Sequence, residues 1–303
     1  MPSAHLGELA ALGTATCWAV SSIAFARAGR RIGSLALNLL RLGFALAFSV
    51  VLGLVARGLP LPTDASGEQW TWLAVSGLVG FVFGDLCLFR AFVLLGPRIA
   101  LLIMATAPPI AALLGWLALG EALNLTAALG MALTVAGIAW VLATRPATAG
   151  PEGQVPRDRS FRTGVWLALG GALGQAGGLV LSKHGMAGYD PFAATQVRIL
   201  AGIAGFALIY TVIGFWPRFR AALRDRVALR LAAGGACLGP FLGVSLSLLA
   251  VQHTETGVAA SIMATTPLLV IPLAAYVDRE RLRWHDLAGA ALAIVGVALL
   301  FLR

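Results

Sequence analysis

Ile103-Met104-Ala105-Thr106-Ala107-Pro108 returns 159 residues later as Ile262-Met263-Ala264-Thr265-Thr266-Pro267. At the same offset Gly84 falls on Gly243, Glu121 on Glu280, Gly130 on Gly289 and Gly137 on Gly296. Nearer the start of each copy the offset is 157, setting Gly13 on Gly170 and Arg41 on Arg198. A loop absorbs a slip of two residues. One short match arises by chance, whereas an ordered series along both halves marks a duplication.

The duplicated unit is made for lipid. Of 303 residues 59% are hydrophobic and 12% charged, with a mean hydropathy of +0.88. Soluble domains carry about 25% charged residues. The net charge of +9 does not indicate nucleic acid, because the arginines occupy short loops between apolar runs. That is where membrane orientation places them. Cys17, Cys87 and Cys237 stand singly in apolar segments, so no metal site or disulfide framework is expected.

A bilayer core about 30 Å thick takes about 20 apolar residues per helix. Segments of that kind fall at 8–26, 34–56, 70–95, 99–120 and 124–143, then at 164–183, 191–216, 229–251, 257–276 and 286–302. Between the sets, 144–163 is a linker rich in Pro, Gly and charge. The expected fold is therefore an all-α polytopic membrane protein of ten transmembrane helices, as two five-helix repeats, 1–143 and 164–303. The first segment lacks a basic leader region and has a counterpart in the second half, so it is expected to be retained rather than cleaved. Five is odd, so the second repeat enters the membrane from the opposite side and the repeats are inverted. Inverted repeats are an architecture of transporters, with the substrate site near the midplane between them.

With these features the chain resembles the drug/metabolite transporter superfamily, in its ten-helix EamA-type branch. The resemblance rests on Trp18, on the matched Arg41 and Arg198, and on the prolines Pro108 and Pro267. It rests also on the Gly120-Glu121 turn before Gly130 and Gly137. The second half departs from it, with Arg279-Glu280 at the turn and Gln175 in place of Trp18. The resemblance implies movement of a small polar organic metabolite, such as an amino acid, with export favoured. Facilitated diffusion, exchange and proton coupling all occur in such proteins. It implies no cofactor, and no nucleotide-binding motif is found in the chain. The partners expected are that substrate and the lipid bilayer; oligomeric state is left open. A non-transporting sensor or scaffold, and an intramembrane enzyme acting on lipid, are the rival readings. The enzyme requires a cluster of His, Ser, Asp or metal ligands at one depth, and none is visible.

Ionisable side chains inside spans are functional candidates. Asp85 is the deepest, roughly 15 Å from the nearer interface; it needs a partner or a proton. Arg90 lies about 140° around the helix from it, so Asp85 is expected to pair with Arg41 or Arg198 on another helix. Arg90, Arg41 and Arg198 either snorkel to an interface or hold a substrate carboxylate. Trp18, Gln175, Thr106 and Thr265 are candidates to line a cavity. Pro108, Pro109 and Pro267 are candidate hinges at matching places in the two halves. Glu121 and Glu280, at helix ends, are expected to cap the next helix start.

The loops following helices 1, 3, 5, 7 and 9 hold 16 of the 22 Lys and Arg residues. This predicts a cytoplasmic linker and both termini on the non-cytoplasmic side of the cell (inner) membrane. A reporter fused after Arg303 that works only outside the cytoplasm agrees with this; activity in the cytoplasm overturns it.

Overall fold

Backbone groups in hydrocarbon have to be satisfied within their own segment, and the computed structural model is built of helices accordingly. It describes residues 5–104, 106–121, 125–144, 159–266, 268–269 and 284–301, and no strand occurs among them. The first half comprises α1 Leu6–Ile32, α2 Ser34–Arg57, α3 Gly67–Gly77, α4 Asp85–Met104, α5 Ala107–Leu119 and α6 Leu125–Thr144. The second comprises α7 Arg159–Met186, α8 Pro191–Val212, the short α9 Trp216–Ala222, α10 Arg226–Ala236 and α11 Val244–His253, followed by α12 Thr256–Met263 and α13 Trp284–Phe301. Local chemistry fixes the starts. Ser66 and Gln69 form a reciprocal capping box on α3. Asp190 caps α8 just ahead of Pro191, and Asp225 caps α10 through the Val227 and Ala228 N–H groups.

Six helical stretches among the described residues are long and apolar enough to cross a bilayer: Leu6–Ile32, Ser34–Arg57, Gly67–Ala91, Phe161–Met186, Pro191–Val212 and Arg226–His253. Ala107–Leu119 and Ala128–Gly137 are apolar but shorter.

Each half contains a feature that no apolar count reveals. Leu78–Gly84 joins α3 to α4, and Cys237–Gly243 joins α10 to α11, as π-helical turns at the repeat offset. Pro240 lies inside the second, where the first has Phe81, so proline does not explain both. Their shared residues are glycines, Gly80 with Gly239 and Gly84 with Gly243.

These turns are where the halves grip each other. The first π turn packs on α7, and the second packs on α1. A Cβ on Gly174 of α7 lies 2.6 Å from the Gly84 Cα, and one on Gly178 lies 3.0 Å from the Gly80 Cα. Reciprocally, a Cβ on Gly243 lies 3.1 Å from the Trp18 Nε1, and one on Gly239 lies 3.1 Å from the Ser21 Oγ. Thr14 also donates to the Gly243 carbonyl at 3.2 Å. The second helices follow the same exchange, α2 against α10 and α8 against α3. Buried clusters consequently mix the halves, as where Leu42 and Phe81 meet Ile199, Phe206 and Val244.

Two expectations are corrected. The loop placed between segments 70–95 and 99–120 does not exist: α4 runs through Gly96 and Pro97 to Met104. A proline in a membrane helix removes one hydrogen bond without making the rest exchangeable for water. The chain breaks later, and Pro108 and Pro109 lie in the first turn of α5, where a missing N–H is harmless. The second correction concerns Glu121. Gly120 ends α5 at φ +66°, a conformation glycine takes without strain. The turn folds Glu121 back so that its carboxylate accepts the Thr256 N–H and the Thr256 hydroxyl, both at 2.8 Å. Lys183 Nζ lies 2.7 Å from the same carboxylate. Glu121 thus caps α12 of the other half, not the next helix of its own. Pro267 and Glu280, and most of the 144–163 linker, lie outside the described residues.

The glycine crossing gives a paired expectation. Gly174→Ala forces a methyl onto backbone and costs about 1–3 kcal/mol. Gly43→Ala on α2, with nothing within 4 Å, stabilises by about 0.4–1 kcal/mol. Unfolding of the two variants in detergent checks the opposite signs; equal effects refute the close packing.

Candidate functional site

Asp85 is the first residue beyond the π turn. Hydrogen bonding from i to i+5 turns every later side chain around the axis, and such turns recur at functional sites. Here the carboxylate, 4% exposed, faces the protein interior. Its Oδ2 accepts from Arg41 Nη2 on α2. Its Oδ1 accepts from Gln175 Nε2 on α7 at 3.3 Å. Arg41 is 1% exposed, and its guanidinium carbon lies 5.8 Å from the centre of the Phe25 ring and 5.5 Å from that of Phe89. Aromatic faces of this kind contribute about 0.5–2 kcal/mol to holding a desolvated cation.

Arg198, from α8, completes the cluster. It is 5% exposed, packs over Phe81 at 5.0 Å, and its Nη2 is 3.1 Å from a Cβ placed on Gly80. Its Nε, like that of Arg41, is buried and has no hydrogen-bond partner among the described residues. The two arginines are repeat mates, but their surroundings differ. Asp85, carried across by the repeat offset of 159, falls on Val244. Arg41 therefore has a fixed carboxylate, while the position that supplies it is apolar in the second half. Neither arginine snorkels.

The other candidates fall into distinct places. Gln175 joins the cluster. Arg90 is exposed on α4 and stands apart from it. Trp18 packs against Gly243 and the buried clusters around Phe25 and Val244. Thr106 and Thr265 repeat one geometry, each hydroxyl donating at 2.7 Å to the carbonyl three residues back, Ile103 and Ile262. Both hydroxyls are thus committed to the ends of broken helices. Pro108 is buried and Pro109 exposed. The flanking rings Phe25, Phe81 and Phe89 escape a sequence reading, since a phenylalanine in an apolar run carries no mark of a cation beside it.

A helical membrane protein whose halves interlock through matched turns, with charges buried between them, has the build of a transporter. The EamA-like transporter family matches residues 5–143 and 162–302. The chain belongs to that family and is an integral membrane protein. Among curated proteins none matches. A solved crystal structure of another protein is 18% identical. It aligns over 97% of this chain and 95% of its own with a TM-score of 0.72. At that identity the likeness concerns the fold.

Breaking a buried ion pair from one side leaves an uncompensated charge. Arg41→Met or Asp85→Leu alone is expected to cost about 3–5 kcal/mol, and the double variant to recover most of that loss. Titration with SDS in mixed micelles measures it. A double variant as unstable as the sum of the singles means the two residues are not coupled.

Proposed function

We propose that the chain is a secondary transporter that carries a small polar organic metabolite by alternating access. Its ten helices form inverted halves, 1–143 and 164–303, joined by the linker 144–163. The observation that carries this reading is the unequal arginine pair between the halves. Arg41 forms an ion pair with Asp85, whereas its mate Arg198, buried near the same carboxylate, forms no ion pair of its own among the described residues, and Val244 stands at the position the repeat matches to Asp85. A buried guanidinium seeks an anion that binds it in a planar, paired manner. An amino-acid-like substrate supplies one in its carboxylate, and Gln175 offers an amide beside it. Asp85 either takes up a proton during the cycle or stays paired while an exchanged substrate returns the carrier. Export from the cell across its inner membrane is the direction proposed, with both termini outside the cytoplasm. The reciprocal grip of the two π turns supports alternating access, because each half holds the other at a matched place, α7 on the first turn and α1 on the second.

The test is uptake into proteoliposomes of compounds found by thermal-shift screening, with and without a pH gradient. Wild type is expected to carry a carboxylate-bearing hit. Asp85→Asn is expected to slow it by at least tenfold. Val244→Asp, which restores an acid at the position the repeat matches to Asp85, is expected to raise the melting temperature and abolish binding of that hit. Compounds that bind but never cross the bilayer sink the transporter reading.

A further inference from the structure

A cavity of about 660 Å³ opens at the end of the molecule where α1 stops and α10 begins. Four arginines line it, Arg31 from the last turn of α1, Arg218 from α9, Arg224, and Arg226 from the first turn of α10. All four are exposed. The one acid in the lining, Asp225, is already engaged. It caps α10 by accepting from the Val227 and Ala228 N–H groups at 3.1 and 2.9 Å, and it pairs with Arg31 at 2.7 Å. Those contacts hold its carboxyl below the usual carboxylate range, the Ala228 N–H first and Arg31 next. A formal excess of positive charge is left facing an open space.

Two features set the depth of this cavity. Arg31 is the last residue but one, and Arg226 the first, of stretches long and apolar enough to span a bilayer. Beside them Tyr210 packs against Phe215, Trp216 and Phe219 with ring centres 4.9 to 5.6 Å apart. Tyr210 is itself wholly buried, but Trp216, partly exposed and four residues past the end of the span Pro191–Val212, stands where tryptophan is enriched, at the headgroup level. Arg218 on α9 is exposed, its guanidinium carbon 6.0 Å from the centre of the Phe215 ring. The lining is not wholly polar, since Val227 is 50% exposed within it. A charged floor with an apolar margin at headgroup depth fits an amphiphile better than a free anion.

We propose that this cavity is a headgroup site for an anionic phospholipid, its phosphate held by Arg218, Arg224 and Arg226 and an acyl chain running past Val227. It is separate from the buried Arg41–Asp85–Arg198 cluster and does not depend on the transport reading. The test titrates the purified full chain in neutral detergent with dioleoylphosphatidylglycerol, dioleoylphosphatidylcholine or inorganic phosphate, following the melting temperature. Phosphatidylglycerol is expected to stabilise the wild type at low concentration, and the other two not to. A basic residue near the surface contributes about fivefold to such binding. The midpoint is therefore expected to rise roughly 100-fold in R218Q/R224Q/R226Q. Arg162→Gln, an exposed arginine at the start of α7, is expected to leave it unchanged. If the triple variant does not purify as a single species, Arg218→Gln alone carries the expectation at about fivefold. An unchanged midpoint in those variants, an equal loss in Arg162→Gln, or equal stabilisation by inorganic phosphate overturns the proposal.

Discussion

An aspartate and an arginine, each almost wholly removed from solvent, are joined inside a chain whose other interior contacts are chiefly apolar. Desolvating two such ions costs several kcal/mol apiece, and their mutual attraction offsets this only when geometry and further hydrogen bonds are good. The geometry here depends on the π turn, which sets the direction of Asp85, and on the Gln175 amide that satisfies its second oxygen. That turn is in place because Gly80 and Gly84 let α7 lie directly on its backbone. The buried charge, the helix irregularity and the glycine crossing are thus one device. A larger side chain at Gly174 acts on the ion pair without touching either charge.

The same device exists twice in shape and once in charge. Gly239 and Gly243 let α1 rest on the second π turn as α7 rests on the first. Arg198 enters from α8 as Arg41 enters from α2. The carboxylate alone is not repeated, because Val244 occupies its place. Conservation of packing with divergence of charge is what a duplicated scaffold does when the two copies share one interior: both copies have to fit, but only one needs to hold the acid. Elsewhere the copies are stitched by contacts that cross between them, such as Glu121 capping α12.

Much of this is legible in the sequence, and the limits are physical. The repeat was visible because a short run of Met, Thr and Pro is distinctive against Leu and Ala. Helical geometry ruled Arg90 out as the partner of Asp85 and pointed to another helix, which is where Arg41 lies. The π turns are not legible, since i to i+5 bonding has no propensity signal of its own; in the sequence Gly84 and Gly243 stand out only as part of the repeat. The boundary placed near Pro97 failed for a related reason. Proline punctuates helices most strongly where water competes for the freed carbonyl, and in hydrocarbon that competitor is missing. The reach of Glu121 to Thr256 was hidden because sequence order says nothing about which helix start lies opposite a turn.

The single carboxylate also bears on energetics. Two inverted copies with identical charges would give inward- and outward-facing states of equal energy, and a substrate binding both alike would shift nothing. One acid, ion-paired with Arg41 and only near Arg198, makes the interior of the two halves electrostatically unequal. Under the proposed cycle an anionic substrate beside Arg198 restores the balance that Val244 leaves unmet, so it binds most tightly in whichever arrangement brings it nearest that guanidinium. Protonation of Asp85 has the opposite effect, releasing Arg41 as a second unpartnered cation. Substrate and proton then act on the same small set of charges from opposite signs. In the proton-coupled form of the proposed cycle, coupling between them needs only these three side chains and no signal carried between distant sites.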